Sequence, residues 1–186
     1  GEQRKLYLAN QDRIAQQVQH REAGEFKKDK LKVLAELTKL RQICCDPRLH
    51  YEDYKAGSAK LDTCMELVHG ALDGGHRILL FSQFTGMLDI IGKRLAKEDI
   101  AFLKLTGASS KESRAKMVAQ FQAGEVPVFL ISLKAGGVGL NLTAADVVIH
   151  YDPWWNVAAQ DQATDRAHRI GQQHTVTVYK LIAKDT

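Results

Sequence analysis

The second part of the chain alternates short continuous apolar runs with amphipathic helical patterns. Helical periodicity is clearest in three stretches, residues 61–72, 85–97 and 111–122. Continuous apolar runs are typical of strands that are buried on both faces, and strands that alternate with helices form parallel sheets. The pattern therefore predicts an α/β domain whose strands cover residues 77–81, 101–105, 126–132 and 146–151. An alternating run predicts one further strand beside them, over residues 175–182.

The first part of the chain has a different pattern. Residues 2–23 predict a polar helix whose apolar stripe is too thin to fold alone, and residues 29–44 predict a second helix. The second helix should end before Asp46-Pro47, because the residue that precedes a proline avoids helical geometry. We therefore divide the chain into a helical segment with a connector, residues 1–59, and an α/β lobe, residues 60–186.

The helix over residues 111–122 carries signals at both ends. Ser109 and Glu112 have the spacing of a capping box, in which each side chain satisfies a free backbone N–H. Gly124 is suited to the left-handed conformation that often ends a helix. We expect these boundaries to be the best defined in the lobe.

Composition limits the class of protein. With 186 residues, of which 45% are apolar and 26% charged, the chain is long enough for one buried core and an appendage. It has neither a membrane-length apolar run nor a secretory signal pattern, so we expect a soluble intracellular protein. Cys44, Cys45 and Cys64 lack the spacing of a zinc site or a redox pair, and no metal site is expected.

The net charge of +4 is unevenly distributed. Residues 1–60 hold 13 basic and 9 acidic side chains, so the whole excess lies in this part of the chain. A basic helical segment can follow a polyanion, but it is more often a solvated face. Charge alone therefore does not establish nucleic-acid binding.

A glycine-rich loop follows the predicted strand at residues 126–132. Gly136, Gly137 and Gly139 allow close approach of a ligand, and ligands bind at the carboxyl ends of parallel strands. The loop is neither a phosphate-binding loop nor a dinucleotide fingerprint. A ligand-facing loop and a tight structural turn both remain open.

A second candidate site lies in the helix that Asn156 should begin and Gly171 should end. On a helix that runs to about residue 170, Gln162, Arg166 and Arg169 share one face. Guanidinium groups stay charged and present a planar fork of donors that suits phosphate oxygens in phosphoryl transfer.

Structural explanations compete with this interpretation. Arg169 could form an ion pair with Asp165, worth at most about 0.5 kcal/mol on an exposed helix. Arg166 has no acidic residue four positions away, which makes it the better functional candidate. Trp154 and Trp155 are more often packing residues than binding residues. His168 lacks a nucleophile or metal partner, and we expect it to be structural.

Four stretches resemble, in order, motifs IV, IVa, V and VI of the Swi/Snf-type superfamily-two ATPases. They are ILLFSQFTGMLDIIGKRL, LTGASSKESRAKMVAQF, FLISLKAGGVGLNLTAADVVIHYDPWWN and QDQATDRAHRIGQQHTVTVYKLI. The run LTKLRQICCDPRL resembles the segment that precedes the second lobe in that family, so the resemblance spans residues 34–184. It implies a RecA-like, P-loop NTPase-type parallel sheet with helices on both faces, preceded by a helical segment.

The resemblance also implies the chemistry. In this family ATP with Mg²⁺ lies between two lobes, and the first lobe carries the phosphate loop. Arg166 and Arg169 fall on the two arginines that the second lobe contributes to catalysis, and Gln162, Gly137 and Gly139 fall near the nucleotide. Because this chain has no phosphate loop, we expect it to hydrolyse ATP negligibly by itself.

Duplex DNA is the partner that the resemblance implies, together with the first RecA-like lobe of the same polypeptide. Contacts of this kind track the phosphate backbone and do not read base sequence. We expect a monomer with no membrane association, either cytoplasmic and associated with the bacterial nucleoid or, in a eukaryote, nuclear. The residues on or near DNA-tracking positions are Ser82, Gln83, Arg114, Ser132, Lys134 and Trp155.

Two departures and two rival functions remain. Leu133 stands where many relatives have threonine, and the DPWWN run resembles bacterial members and some repair-type eukaryotic members more than nucleosome remodellers. A non-catalytic DNA- or protein-interaction module could keep this fold without motor activity. A small-molecule enzyme on a doubly wound sheet would need a cofactor fingerprint, and residues 81–86 do not form one.

Overall fold

A computed structural model describes residues 1–19, 26–135, 140–153 and 157–184, with side chains excluded for residues 26–29 and 157–160. The chain divides into two compact units, Gly1–Leu61 and Asp62–Thr186. This division falls two residues from the boundary expected from sequence.

The first unit consists of helix α1 (Glu2–Gln19), helix α2 (Phe26–Cys45) and a 3₁₀ turn (Pro47–Leu49). The α2 helix ends where the Asp46-Pro47 pair predicts, and the Asp46 carboxylate caps the following turn by accepting from the Arg48 amide at 2.9 Å. The Gln3 amide of α1 donates to the Ile43 and Cys44 carbonyls at 2.9 and 3.2 Å. These bonds satisfy carbonyls that the end of a helix leaves unpaired.

The second unit alternates helices and strands as the apolar pattern predicts. The predicted strands and helices between residues 60 and 186 are all present, and α4 and α5 have the predicted bounds. The elements are α3 (Ala59–Asp73), β1 (Ile78–Ser82), α4 (Thr85–Lys97), β2 (Phe102–Leu105), α5 (Lys111–Gln122), β3 (Val128–Ser132), β4 (Val147–His150), α6 (Val157–Thr164) and β5 (Thr177–Lys180).

In the described part of the chain the strands form one five-stranded, all-parallel sheet in the order β2-β3-β1-β4-β5. Every residue of β1, β3 and β4 is buried, which explains why these strands are continuous apolar runs. All four residues of β5 are exposed, as suits a strand at the edge of the sheet.

Helices cover both faces of this sheet. On one face Phe121 of α5 packs edge-on against Phe129 of β3, with the ring centroids 5.4 Å apart, and Ala163 of α6 joins the same cluster. On the other face Gly92 of α4 lies so close to the Phe102 ring that an added Cβ would meet it at 3.0 Å. The predicted RecA-like arrangement is therefore confirmed.

The predicted N-cap of α5 is wrong. The N-cap of α5 is Ser110, whose hydroxyl accepts from the Ser113 amide, while the Ser109 hydroxyl accepts from the Thr106 amide at 3.1 Å. Ser109 therefore closes the preceding turn and is not the cap. Gly124 has a φ of +82° just beyond this helix, as predicted.

The α6 helix ends at Thr164, about six residues before the predicted end. After Thr164 the Arg166 amide donates at 3.2 Å to the Ala163 carbonyl, which lies three residues earlier and not four as in an α-helix. The Arg166 carbonyl accepts from the Leu142 amide at 2.9 Å, so its partner lies outside the helix. A tertiary hydrogen bond thus replaces the helix continuation that periodicity predicted.

Two global features complete the fold. No helix within the described residues has the length and apolar character needed to cross a membrane. Cys45 and Cys64 are buried and form no disulfide among the described residues, and burial raises the pKa of Cys64 to about 12. A thiol with such a pKa stays protonated and unreactive near neutral pH.

Asp146 joins the starts of the neighbouring strands β1 and β4. Its carboxylate accepts from the His76 ring at 2.7 Å and from the Arg77 amide at 2.9 Å. Burial by itself would raise the pKa of this carboxyl, but these hydrogen bonds, its own backbone amide and the His76 charge together lower the pKa below its ordinary value. A carboxyl with a lowered pKa stabilises the folded state while it is ionised.

We expect Asp146→Ala to lower the free energy of unfolding by about 1 to 2 kcal/mol near neutral pH, because it leaves backbone and ring donors unpaired. The ionised carboxylate contributes fully above its unfolded pKa of about 3.9 and loses that contribution as pH falls through the lower folded value. Urea unfolding at a series of pH values should therefore show the wild-type advantage shrinking on acidification. Asp73→Ala, at an exposed position, is the control, and a pH-independent difference would contradict this role for Asp146.

Candidate functional site

The central strands β1, β3 and β4 end together at the carboxyl edge of the sheet. Parallel pairing sets Ser82 beside Ser132 in the register of β1 and β3. The Leu133 amide donates to the Ser82 carbonyl at 3.0 Å, which extends this pairing beyond the strands. Loops from neighbouring strands are therefore fastened side by side at this edge.

Asp152 organises the loops that follow β1 and β4. Its buried carboxylate accepts from the Ser82 hydroxyl and from the Gln83 amide, the latter at 2.9 Å. The Gln83 side chain donates to the Asp152 carbonyl at 3.0 Å, and the Ser82 hydroxyl accepts from the Phe84 amide at 3.1 Å. Ser82 is buried and Gln83 is half-buried, so both side chains hold the loop together in this structure.

Arg114 has a similar internal role at the neighbouring loops. Its guanidinium donates to the carbonyls of Ser109 at 3.2 Å and of Thr106 and Ala135 at 3.5 Å. These bonds join the start of α5 to the loop after β3. Arg114 is half-buried, and its donors are engaged with loop carbonyls.

The carboxyl edge thus brings together most of the side chains expected to follow DNA. Ser132 is buried, whereas Lys134, in the turn after β3, is exposed. Lys134 is consequently the residue of this group that presents its charge to solvent. Trp155 lies outside the described residues.

The two candidate catalytic arginines lie in the turn that follows α6, residues 165–170, which we name the arginine turn. Arg166 is buried at 5% exposure, while Arg169 is exposed and donates from Nη1 to the Leu140 carbonyl at 2.9 Å. Gln162 is exposed on α6, and Gly137 and Gly139 lie outside the described residues. The predicted single helix face is wrong, because α6 ends before the first arginine.

Electrostatics nevertheless links the two arginines. Burial, and then the charge of Arg169, lower the pKa of Arg166, while Asp165 acts in the opposite direction. The guanidinium still stays charged near neutral pH. Arg169 forms no ion pair with Asp165 among the described residues, and its contact is the Leu140 carbonyl. The charge of Arg169 therefore acts on that of Arg166 within the arginine turn.

His150 is a site residue that the sequence did not reveal. It is buried at the end of β4, stacks on Phe81 with centroids 5.6 Å apart, and shares a 3.0 Å hydrogen bond with the Thr164 hydroxyl. Burial, followed by the charge of Lys180, lowers the pKa of His150 to about 4, with Asp161 opposing. A neutral imidazole thus fixes the last residue of α6, immediately before the arginine turn.

Comparison with known proteins adds independent information. A family model described as helicase conserved C-terminal domain matches residues 59–171. An "uncharacterized ATP-dependent helicase" of Mycoplasma pneumoniae is 40% identical over 98% of this chain, and the "putative ATP-dependent helicase/translocase YwqA" of Bacillus subtilis is 43% identical over 83% of it. The chain spans 17% of the length of each of these two relatives.

A solved structure shows the same relationship. The "SWI2/SNF2 ATPase core in complex with dsDNA" of Sulfolobus solfataricus superposes with a TM-score of 0.83 at 36% identity. The match covers 98% of this chain and 38% of that protein.

We expect His150 to make folding sensitive to acid, because its folded pKa of about 4 lies below the unfolded value near 6.5. The unfolded state then binds the extra proton as pH falls from about 6.5 to about 4, and stability is lost over that window. Urea unfolding should show wild type losing on the order of 3 kcal/mol relative to His150→Gln between those pH values. His168→Gln, at an exposed position, is the control, and parallel pH profiles for wild type and His150→Gln would rule out a buried neutral imidazole.

Proposed function

Because this chain belongs to the family of helicase conserved C-terminal domains, and within it to the SWI2/SNF2-type ATPases, we propose that it is the second motor lobe of an ATP-driven translocase on double-stranded DNA. In this proposal the arginine turn supplies two arginine fingers, and the carboxyl edge of the sheet supplies contacts to the DNA backbone. The observation that carries it is that Arg166, which is buried, and Arg169, which is exposed, lie together in the turn that follows α6.

The chemistry of phosphoryl transfer explains why such a pair is useful. Negative charge spreads over the transferred phosphoryl group in the transition state, and preorganised guanidinium groups stabilise it. Arg166 is already buried, so water would screen its charge only weakly. Electrostatic interactions are strongest where water is excluded. Arg169 would contribute a second fork of donors from the same turn.

ATP with Mg²⁺ would be held mainly by a first RecA-like lobe elsewhere in the same polypeptide. The sequence contains no phosphate-binding loop, and no group of three or more metal-binding side chains occurs among the described residues. Its relatives are named ATP-dependent helicases. On this proposal the isolated chain hydrolyses ATP negligibly, and activity requires both lobes.

DNA contacts follow from the carboxyl edge. A related ATPase core is described in complex with double-stranded DNA. Here Lys134 would provide a direct phosphate contact, because its charge faces solvent. Ser82, Gln83, Arg114 and Ser132 would act chiefly by shaping the loops, and Trp155 remains a candidate contact.

The proposed cycle joins these two parts of the lobe. ATP would draw the two lobes together and bring Arg166 and Arg169 to the γ-phosphate. Because Lys134 and its neighbours would hold the backbone meanwhile, closure would shift one lobe along the duplex. Backbone contacts of this kind are indifferent to sequence, which translocation requires.

We expect Arg166→Ala or Arg169→Ala, in the full-length protein that contains this chain, to reduce duplex-stimulated ATP hydrolysis by about 10³-fold, the scale of arginine-finger effects. Hydrolysis is measured with duplex DNA, single-stranded DNA and no DNA, and duplex binding is measured in parallel. Binding should persist in both variants.

Arg94→Ala is the matched control, because Arg94 lies on α4 in surface ion pairs with Asp62 and Glu98. Unchanged hydrolysis in the Arg166 variant would refute the finger role. Absence of ATP hydrolysis in wild type, even with duplex DNA present, would favour a non-catalytic interaction module.

We expect Lys134→Ala to weaken duplex binding similarly for unrelated DNA sequences, since a phosphate contact carries no base information. Loss of one such contact should make the plot of log K against log salt shallower by about 0.9. Lys93→Ala, an exposed lysine on α4, is the control and should leave the slope unchanged. An identical slope for the Lys134 variant would remove this residue from the interface.

A further inference from the structure

Residues 140–145 return the chain from the glycine loop toward β4 without regular secondary structure. Leu142 and Ala145 are fully buried in the core between the sheet and its covering helices. Buried peptide groups outside helices and strands need other partners, because an unpaired one costs as much as a lost hydrogen bond. The source of those partners shows what this segment is attached to.

Some partners come from α5 and from the arginine turn. The Gln122 side chain at the end of α5 accepts from the Ala144 amide at 2.8 Å. The Leu142 amide donates to the Arg166 carbonyl at 2.9 Å, and the Leu140 carbonyl accepts from the Arg169 guanidinium at 2.9 Å. The arginine turn is therefore bonded directly to this segment.

Two carbonyls of residues 140–145 converge on one side chain, Gln172. Its Nε2 lies 2.9 Å from the Thr143 carbonyl, 2.8 Å from the Ala145 carbonyl and 3.0 Å from the Ala167 carbonyl. Two of these carbonyls belong to residues 140–145, and the third belongs to the arginine turn. One amide group thus bridges both pieces of chain.

The orientation of the Gln172 amide follows from its neighbours. Carbonyl oxygens only accept hydrogen bonds, so the atom that faces three of them must be the NH₂ group. The Gln172 oxygen in turn accepts from the His174 amide at 2.9 Å, and that amide only donates. In addition, the Gln172 backbone amide closes the arginine turn by donating to the Arg169 carbonyl at 3.0 Å.

We propose that Gln172 is a positioning residue, which holds the arginine turn against residues 140–145. In this way it determines the positions of the Arg166 and Arg169 guanidinium groups. This inference rests on the proposed role of those arginines as fingers. Gln172 acts through them and does not touch nucleotide, because both polar atoms of its amide are engaged within the protein.

The test variants remove the hydrogen-bond donor of the Gln172 side chain and keep the approximate size of that side chain. Gln172→Glu has the same length but cannot donate to the three carbonyls when ionised, and Gln172→Met removes the hydrogen bonds without adding charge. In the full-length protein that contains this chain, kcat for duplex-stimulated ATP hydrolysis should fall on the order of 10²-fold, the effect of a misplaced catalytic group. KM for ATP and the Kd for duplex should change by less than about threefold, since ground-state binding is retained.

A second readout does not depend on turnover. Hydrogen exchange should accelerate at the Leu142 amide, whose acceptor is the Arg166 carbonyl, while the amides of β1 and α4 keep wild-type protection. Gln173→Glu is the matched control, because it makes the same chemical change at the adjacent, exposed position. It should match wild type in both measurements.

Specific outcomes would overturn the inference. Gln172 variants that match Gln173→Glu in kcat, while Arg166→Ala removes turnover, would leave the proposed function intact and eliminate this role. Protection lost equally in β1 and α4, in both the Glu and the Met variant, would make Gln172 a general stabiliser of the fold. Turnover that survives Arg166→Ala would refute the finger proposal and this inference with it.

Discussion

Parallel pairing of the strands is the constraint on which the rest of the second unit depends. Because all the described strands run in the same direction, β1, β3 and β4 end together at the carboxyl edge of the sheet. After each strand the chain must therefore return to the side of the sheet where the strands begin. The gathered ends place Ser82 beside Ser132 and allow Asp152 to bind the loop after β1. The returning segments supply the apolar layers on both faces, so the same constraint creates both the core and the candidate DNA-binding edge.

One returning segment differs from the others and connects that architecture to the arginines. The crossover from β3 to β4 contains no described helix, so several of its peptide groups pair with groups outside the segment. These groups belong to Gln122, to Gln172 and to the arginine turn. The pairing that removes the cost of an irregular crossover therefore also fixes the geometry of Arg166 and Arg169. Stability and the proposed catalytic role depend on the same hydrogen bonds.

The sequence predicted what local patterns encode. Continuous apolar runs identified the described strands β1 to β4, and an alternating run identified β5. Amphipathic periodicity gave the bounds of α4 and α5, and α5 ends on a local signal, Gly124. The premature end of α6 was not predictable, since it depends on the Leu142 amide, which lies far away in the chain. His150 and Gln172 were missed for the same reason, because their importance comes from Thr164 and from carbonyls brought near by folding.

The burial of Arg166 distinguishes the candidate catalytic centre from the candidate DNA-binding edge. At that edge the buried polar groups are neutral or mutually bonded, and the charge of Lys134 faces water, where phosphate contacts can form and break readily. In the arginine turn, burial and then the charge of Arg169 lower the pKa of Arg166, and Asp165 opposes this shift. In the proposed function, a multiply charged anion such as a triphosphate would favour the charged form of both arginines. On the same proposal, the exposed charge of Lys134 would contact the DNA backbone, whereas the buried charge of Arg166 would act on the nucleotide.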